Sequence, residues 1–221
     1  MPDFAGRTPR HWLAALACVS LLASPSGAVT FTADFTSTTY QTVGGDSYAT
    51  LLAAHQAGAP LATTAMTGFE NVSTSFEAGV TTDYSILLTA NLTIDAPGHY
   101  DFQVGTDWGR GGATAVIDES TSTLLDEFLV TTEVWWGYDW NNPSVITRGV
   151  DLTAGTNYTL AWIGFEDCCA GDTTVRFSYE GGPFQILNAA NLAPYSAPEP
   201  GTAALLALGL ALLARVRRRS R

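Results

Sequence analysis

In one segment after another of this chain, apolar residues fall at every second position, the spacing with which an extended strand buries a single face. Val29, Phe31, Ala33 and Phe35 alternate with Thr30, Thr32 and Asp34, and Tyr100, Phe102 and Val104 with Asp101 and Gln103. The same holds for Tyr158, Leu160 and Trp162 against Thr159 and Ala161, and for Val175, Phe177 and Tyr179 against Arg176 and Ser178. Segments 83–89, 91–95, 113–118, 123–130 and 145–152 are further strand candidates. Turn chemistry separates them: Ala96-Pro97-Gly98, the run from Gly109 to Gly112, Asn141-Asn142-Pro143, Ala154-Gly155-Thr156 and Gly181-Gly182-Pro183. Many short strands with such punctuation predict an all-β fold, an antiparallel β-sandwich of jelly-roll or lectin-like form. One short helix is expected where Asp46 or Ser47 can cap a turn and Tyr48, Leu51, Leu52 and His55 share a face.

The strand-bearing region, 29–187, is roughly 160 residues long, enough for one domain with a real core and too few for two. Residues 188–197 turn rich in Ala, Asn and Pro and read as an exposed linker. The chain has no lysine, and between Val29 and Ser196 three arginines (Arg110, Arg148, Arg176) face nineteen acidic residues, a net charge of −16. Such a surface repels nucleic acid and anionic headgroups and excludes both as partners. It suits solubility, divalent cations and neutral sugars.

Both ends read as addresses. Arg7, Arg10 and His11 precede an apolar stretch from Trp12 to Ala23, and Ser26-Gly27-Ala28 supplies the small residues a signal peptidase needs. Residues 1–28 are therefore expected to be a secretory signal peptide, helical in its apolar part and cut before Val29. Cys18 follows Ala15-Leu16-Ala17, a poor match to a lipobox. At the other end Pro198-Glu199-Pro200 is followed by an uncharged apolar run from Gly201 to Ala214, then by Arg215, Arg217, Arg218, Arg219 and Arg221. The run is shorter than the roughly 20 residues of a permanent transmembrane helix, so it would enter the bilayer marginally, with the arginines held on the cytoplasmic side.

This layout over 198–221 resembles the PEP-CTERM sorting signal of Gram-negative bacteria. The resemblance implies a hydrophobic C-terminal helix inserted transiently in the inner membrane and an exosortase that recognises Pro198, Glu199 and Pro200. It also implies delivery to the cell surface or matrix, with exopolysaccharide and biofilm as the usual setting. A plain membrane anchor is the alternative. Cys168-Cys169-Ala170-Gly171 further resembles a group of such proteins that share a Cys-Cys-x-Gly order.

The order of segments over 96–187 adds to this. Pro97-Gly98-His99-Tyr100-Asp101-Phe102 leads to Gly105-Thr106-Asp107-Trp108-Gly109, and Leu152-Thr153-Ala154-Gly155-Thr156-Asn157-Tyr158 opens a later strand. The series resembles the protective-antigen-type β-sandwich module of bacterial glycosidases and yeast adhesins. Some members of that family bind sugar through calcium held by two adjacent aspartates. Here the pair reads Asp107-Trp108, so only Asp107 carries over.

Once Cys18 leaves with the signal peptide, Cys168 and Cys169 are the remaining cysteines, in an oxidising compartment. An intrachain disulfide must then join neighbours whose Cα atoms lie about 3.8 Å apart, below the usual range of roughly 4.4–6.8 Å. Such a bond closes too small a loop to add much chain-entropy stabilisation and acts by flattening a turn. A turn that shapes a ligand site, a merely structural turn, pairing with a second chain and free thiols all remain open. Around the pair, Glu166, Asp167 and Asp172, together with Asp107, offer oxygen ligands for calcium, against the alternative of a solvated acidic loop. Zinc is disfavoured, since His55 and His99 have no ligand spacing.

Trp135, Trp136, Tyr138, Trp140 and Asn141 place four rings beside an amide, a composition that stacks on sugar rings and hydrogen-bonds their hydroxyls. The alternative is that Trp135 or Trp136 caps the core. Trp162, inside an alternating strand, is read as core, and Trp108 fits either role. No Gly-x-Ser-x-Gly, phosphate-binding or dinucleotide motif occurs, and no carboxylate pair is singled out for glycoside hydrolysis, so no enzyme is expected. The sequence reading is an exported, non-catalytic polysaccharide-binding module, the alternative being a structural matrix protein without a small-molecule site.

Overall fold

The alternating segments pair into two antiparallel sheets that bury their apolar sides against each other. This computed structural model describes residues 29–73, 79–169, 171–196 and 209–210. The signal peptide expected over 1–28, the motif Pro198-Glu199-Pro200 and the apolar run behind it, save Gly209 and Leu210, lie outside these residues. Among the described residues no helix is long and apolar enough to cross a membrane.

In chain order the elements are β1 (Thr30–Ser37), helix α1 (Tyr48–Ala57), β2 (Ala59–Met66), β3 (Val72–Ser73), β4 (Tyr84–Thr93), β5 (Gly98–Gly105) and β6 (Asp107–Trp108). There follow β7 (Gly112–Asp118), β8 (Thr123–Val130), β9 (Val134–Trp135), β10 (Ile146–Leu152), β11 (Asn157–Glu166), β12 (Asp172–Tyr179), β13 (Gln185–Ile186) and helix α2 (Ala189–Leu192). One sheet runs β2-β1-β4-β11-β7-β8; the other runs β10-β5-β12-β13, with β3 also on β12; β6 and β9 form a separate ribbon. The protein is an all-β antiparallel sandwich. Phe31, Leu88, Leu160 and Trp162 of the first sheet share its core with Tyr100, Phe102, Val175 and Phe177 of the second. Phe69 lies edge-on to both Phe31 and Trp162, at centroid distances of 5.2 and 5.8 Å.

Strand β11 departs from simple alternation because both its faces are covered. Leu160 and Trp162 point into the sandwich, while Ala161, Ile163 and Phe165 join Ala113, Ala115, Tyr48 and Leu51 under α1. Ser47, rather than Asp46, caps α1: its Oγ accepts from the Thr50 N–H at 3.2 Å, whereas Asp46 accepts from the Val43 N–H at 2.8 Å. His55, on the buried face of α1, ties the helix to the sheet. Its Nε2 lies 2.9 Å from Asp34 Oδ2 and its Nδ1 2.8 Å from Ser85 Oγ.

Three expectations change. Strand β2 had no sequence signal, because it is an edge strand: Pro60, which cannot donate to a ladder, sits opposite Thr36 beside a register shift in β1. The segments 83–89 and 91–95 are one strand, β4, in which exposed Asn91 accepts a 2.7 Å hydrogen bond from the Thr159 hydroxyl. Residues 188–196 are not an exposed linker. Asn188 caps α2 and packs so tightly on Gly68 that a Cβ there would lie 2.3 Å from its own Cβ. Leu192 is buried, and the Tyr195 carbonyl accepts from the Asp95 N–H at 2.8 Å. The composition suggested a linker because Ala, Asn and Pro are also the residues of caps and short helices.

Ala161→Leu should lower the unfolding free energy by about 1–3 kcal/mol in urea melts, since the added methylenes have no room between β11 and α1. An unchanged midpoint would contradict the close seating of the helix.

Candidate functional site

The first turns beyond one end of the strands bring the acidic loop and the aromatic segment together. Strand β11 ends at Glu166, opposite Tyr84 of β4; β12 begins at Asp172; and β6 pairs with β9 so that Asp107 faces Trp135 and Trp108 faces Val134. Between them lies a cleft of about 280 Å³ lined by Asp107, Gly109, Glu133, Trp135, Glu166, Asp167 and the two cysteines. The exit of the chain at Ser196 lies beside Ile94, next to the other end of β4. Cleft and C-terminal exit therefore occupy opposite ends of the sandwich.

Two inward tryptophans hold the ribbon in place. Trp108 fills a slot that exists because residues 112 and 164 are glycine: a Cβ at Gly164 would lie 2.2 Å from its Nε1, and one at Gly112 2.7 Å from its ring. Trp136 lies against Gly105, where a Cβ would come within 2.3 Å of the ring. With 108 and 136 turned in, Asp107 and Trp135 turn out. Trp135 is 61% exposed and Tyr138 62%.

Glu166 is only 3% exposed, and its carboxylate is the brace of the site. It accepts from the N–H groups of Gly109 at 2.7 Å, Asp167 at 2.9 Å and Cys168 at 3.1 Å, joining two loops and fixing the entry to the cysteine turn. Burial pushes its pKa up; the three N–H donors pull the other way without cancelling that rise, and Asp107 adds to it. Asp107 is also pushed up, by burial first and then by the charges of Glu133 and Asp172. Asp172 accepts a hydrogen bond from the Tyr138 hydroxyl, which raises the Tyr138 pKa. Among the described residues, the carboxylates of Asp107, Glu133 and Asp167 accept no hydrogen bond and pair with no base. Arg110, the nearest arginine in sequence, is committed to Asp83 at 2.6 Å.

Cys168 and Cys169 are joined by a disulfide, with Cα atoms 3.7 Å apart and Cys169 in the left-handed region at φ 74°. Gly171 follows because Asp107 lies against it, 2.3 Å from where a Cβ would be. Glu166, Asp167 and Cys168 have potential metal-ligand atoms within 4.8 Å of one another, but the Cys168 sulfur is bonded to Cys169, which leaves two carboxylates. Neither sulfur is a thiolate.

Asp107, Glu166, Asp167 and Asp172 thus converge, with Trp135 and Tyr138 beside them. The rest of the aromatic set does not. Trp136 is buried and offers no platform; its place in the core follows from the inward turn of the ribbon. Trp140 is half-buried, packs on Trp136 at 4.6 Å, and has one face covered by the Arg176 guanidinium at 3.9 Å. Asn141 sits in the adjoining turn, its N–H on Asp139. Glu133 was missed; the signal for it was its position two residues before Trp135, the spacing that puts two residues of extended chain on one side. Asp34, His55 and Ser85 form a hydrogen-bonded series with the residue types of a hydrolytic triad, yet Ser85 is wholly buried and His55 1% exposed, so no substrate reaches either.

Residues 196–220 match the PEP-CTERM protein-sorting motif. That motif implies export and sorting to the cell surface. No curated protein is similar to the chain in sequence. Among solved structures, the fold is similar to PA14 lectin-like domains. One is the PA14 sugar-binding domain from an RTX adhesin, at 15% identity, covering 77% of this chain and 99% of that one with a TM-score of 0.46. Another is the PA14 domain of the antifreeze protein MpAFP, at 16% identity, 72% and 87% coverage and a TM-score of 0.46. A third is the epithelial adhesin 9 A domain from Candida glabrata in complex with Galβ1-3GlcNAc, at 9% identity, 72% and 88% coverage and a TM-score of 0.46.

Gly109→Ala should break the brace, because its Cβ would sit 2.5 Å from Glu166 Oε1 and 2.7 Å from Asp167 Oδ1. Glu166 cannot move aside without giving up its N–H donors, so amide exchange at Asp167 and Cys168 should accelerate at least about tenfold. The raised carboxyls set a pH dependence. The folded state binds more protons than the unfolded one above the normal carboxylate range, so in metal-free buffer stability falls as pH rises from about 4. Asp107→Asn should flatten that fall in a series of thermal melts; a slope as steep as the natural chain's would contradict it.

Proposed function

We propose that this chain is a non-catalytic polysaccharide-binding module, exported and displayed at the cell surface, with its binding site in the acidic cleft. The observation that carries this is the exposed face of Trp135 set beside carboxylates that have no partner among the described residues. Sugar rings present C–H bonds that match an aromatic face, and their hydroxyls donate to carboxylates, so one surface offers both contacts. The disulfide-flattened turn at 168–169 forms the opposite rim and costs no ordering on binding.

Calcium is the cation we propose for this cleft. A hard cation takes oxygen ligands, and the half-buried Asp107, repelled by Glu133 and Asp172, is the kind of group such a cation relieves. Glu166 and Asp167, whose carboxylate oxygens lie within 4.8 Å of each other, would supply its first ligands, with Asp107 lining the same cleft. When bound, calcium would supply positive charge and open coordination positions for sugar hydroxyls. The protein's own part is to hold the acidic loops and the aromatic face in fixed relation.

For export, a signal peptidase would remove 1–28 and an exosortase would act at Pro198-Glu199-Pro200 after transient membrane insertion of the apolar run. Chain exit and cleft lie at opposite ends, so a chain held by its C-terminus presents the cleft outward to matrix polysaccharide.

A structural matrix role is the second reading, favoured by strand β8, a sheet edge on which Leu124, Leu125 and Phe128 are exposed. A register shift against β7 works against edge-to-edge pairing there.

Binding to immobilised neutral polysaccharides should fall about tenfold or more in Trp135→Ala and stay within about twofold in Trp140→Ala, as measured by pull-down and titration. Calcium should raise the melting temperature of the natural chain and not of the Asp107→Asn, Asp167→Asn double variant. Binding indifferent to Trp135 would remove the cleft from the proposal, and an intact β8 surface required for self-association would support the structural role.

A further inference from the structure

Of the three arginines that serve the sandwich, two end on carboxylates: Arg110 on Asp83 and Arg148 on Asp126. Among the described residues Arg176 has no carboxylate partner. It sits on the outer face of the second sheet, opposite Gln103 of β5, which is itself opposite Thr147 of β10. Its guanidinium lies over the Trp140 ring at 3.9 Å and the Phe184 ring at 4.8 Å. Its Nε donates to Gln103 Oε1 at 2.7 Å, and Gln103 is held in turn, its Nε2 donating to the Thr147 hydroxyl at 3.2 Å.

These contacts commit the guanidinium's flat side and its Nε hydrogen, and they leave its other edge. Among the described residues no acceptor takes the hydrogens of Nη1 or Nη2. Nor are those two atoms buried: the buried side-chain polar atoms without a partner are Thr42 Oγ1, Trp108 Nε1 and Thr114 Oγ1. A planar fork of N–H donors is therefore open to solvent, and it matches the two oxygens of a carboxylate. The rings and Gln103 fix it beforehand, so little ordering is left to binding. Burial pushes the Arg176 pKa down, a cost that a bound anion offsets. Nearby acids are turned to other groups. Asp101 accepts from the Ser178 hydroxyl at 3.5 Å and lies 3.4 Å from His99 Nε2, and Asp139 accepts from the Asn141 N–H at 2.9 Å.

We propose that Arg176 is the anion point of a second binding site, which takes one carboxylate at a time from the uronate units of an acidic polysaccharide. The choice of a sugar as carrier rests on the reading of the chain as a polysaccharide-binding module; the anion point does not. Thr147, exposed beside the fork, offers a hydroxyl to the same sugar, and half-buried Phe184 an apolar edge. Nucleic acid needs several cations along its backbone and is still repelled by a net charge of −16. A single carboxylate on Arg176 meets mainly its immediate surroundings, because the Debye length at physiological salt is about 8 Å.

The test titrates the chain as secreted with a short oligoglucuronate, and with the same oligomer reduced at its carboxyls, in about 0.15 M salt. The acidic oligomer should bind at least about tenfold more tightly than the reduced one and should shift the Arg176 Nε resonance. Arg176→Lys, which keeps the charge and loses the fork, should bring the two oligomers within about twofold of each other. Trp135→Ala should leave the preference for the acid intact. An Arg176 resonance that does not move, or a preference unchanged in Arg176→Lys, would overturn the site. The resonance is read on the natural chain, so the outcome does not depend on how the variant folds. An oligoglutamate peptide bound at Arg176 more tightly than the oligomer would overturn the sugar as ligand. Neutral polysaccharide bound through Trp135 with no preference for acid defeats this inference alone. Acid preference with no binding that depends on Trp135 defeats the cleft reading alone.

Discussion

The structure depends on β11 being buried on both faces. Its inner side chains, Leu160 and Trp162, build the sandwich core, and its outer ones, Ala161, Ile163 and Phe165, seat α1. Gly164 in the same strand leaves the slot that Trp108 fills. The strand then ends at Glu166, whose buried carboxylate organises the cleft. One strand therefore couples the core, the helix and the site. Burial of an apolar side chain is worth about 1.5–3 kcal/mol, and several such terms converge here, comparable with the whole net stability of a domain.

The cleft at its end is arranged by the opposite principle. Two unit charges about 4 Å apart repel by about 4 kcal/mol at an effective dielectric of about 20. The protein offsets this for Glu166 with three N–H donors, while Asp107, Glu133 and Asp167 have no partner among the described residues. Elsewhere the few cations are committed: Arg110 to Asp83, Arg148 to Asp126, and Arg176 between Trp140 and Phe184. Three such carboxylates thus meet around one cleft, at the end of the sandwich opposite Ser196. That separation suits an exported chain whose far end meets its surroundings first.

Much of this was legible beforehand, and the exceptions have physical causes. Period-two alternation marked β1, β5, β11 and β12, because each has at least one face against the core. It did not mark β2, an edge strand with Pro60, nor the two-residue strands β3, β6, β9 and β13, which are too short to show a period. The aromatic segment could be recognised as unusual without revealing which rings face outward. Trp135 and Trp136 are identical in type and adjacent in sequence, and their roles are set by Gly105, more than thirty residues away. Residues 188–196 looked like a linker because composition does not record that Gly68 leaves room for Asn188.

The sequence by itself determined most of the long strands, the strongly acidic composition, the sorting motif and the fact that, from Val29 onward, Cys168 can find an intrachain partner only in Cys169. These follow from local spacing, charge counting and covalent reach. Only the tertiary structure decided that Glu133 joins Asp107, that Trp140 is covered by Arg176, that His55 is a structural tie and that residues 188–196 pack on the sandwich. Each of these depends on the register of strands distant in the chain, and register is set by the summed packing of whole faces rather than by any one segment.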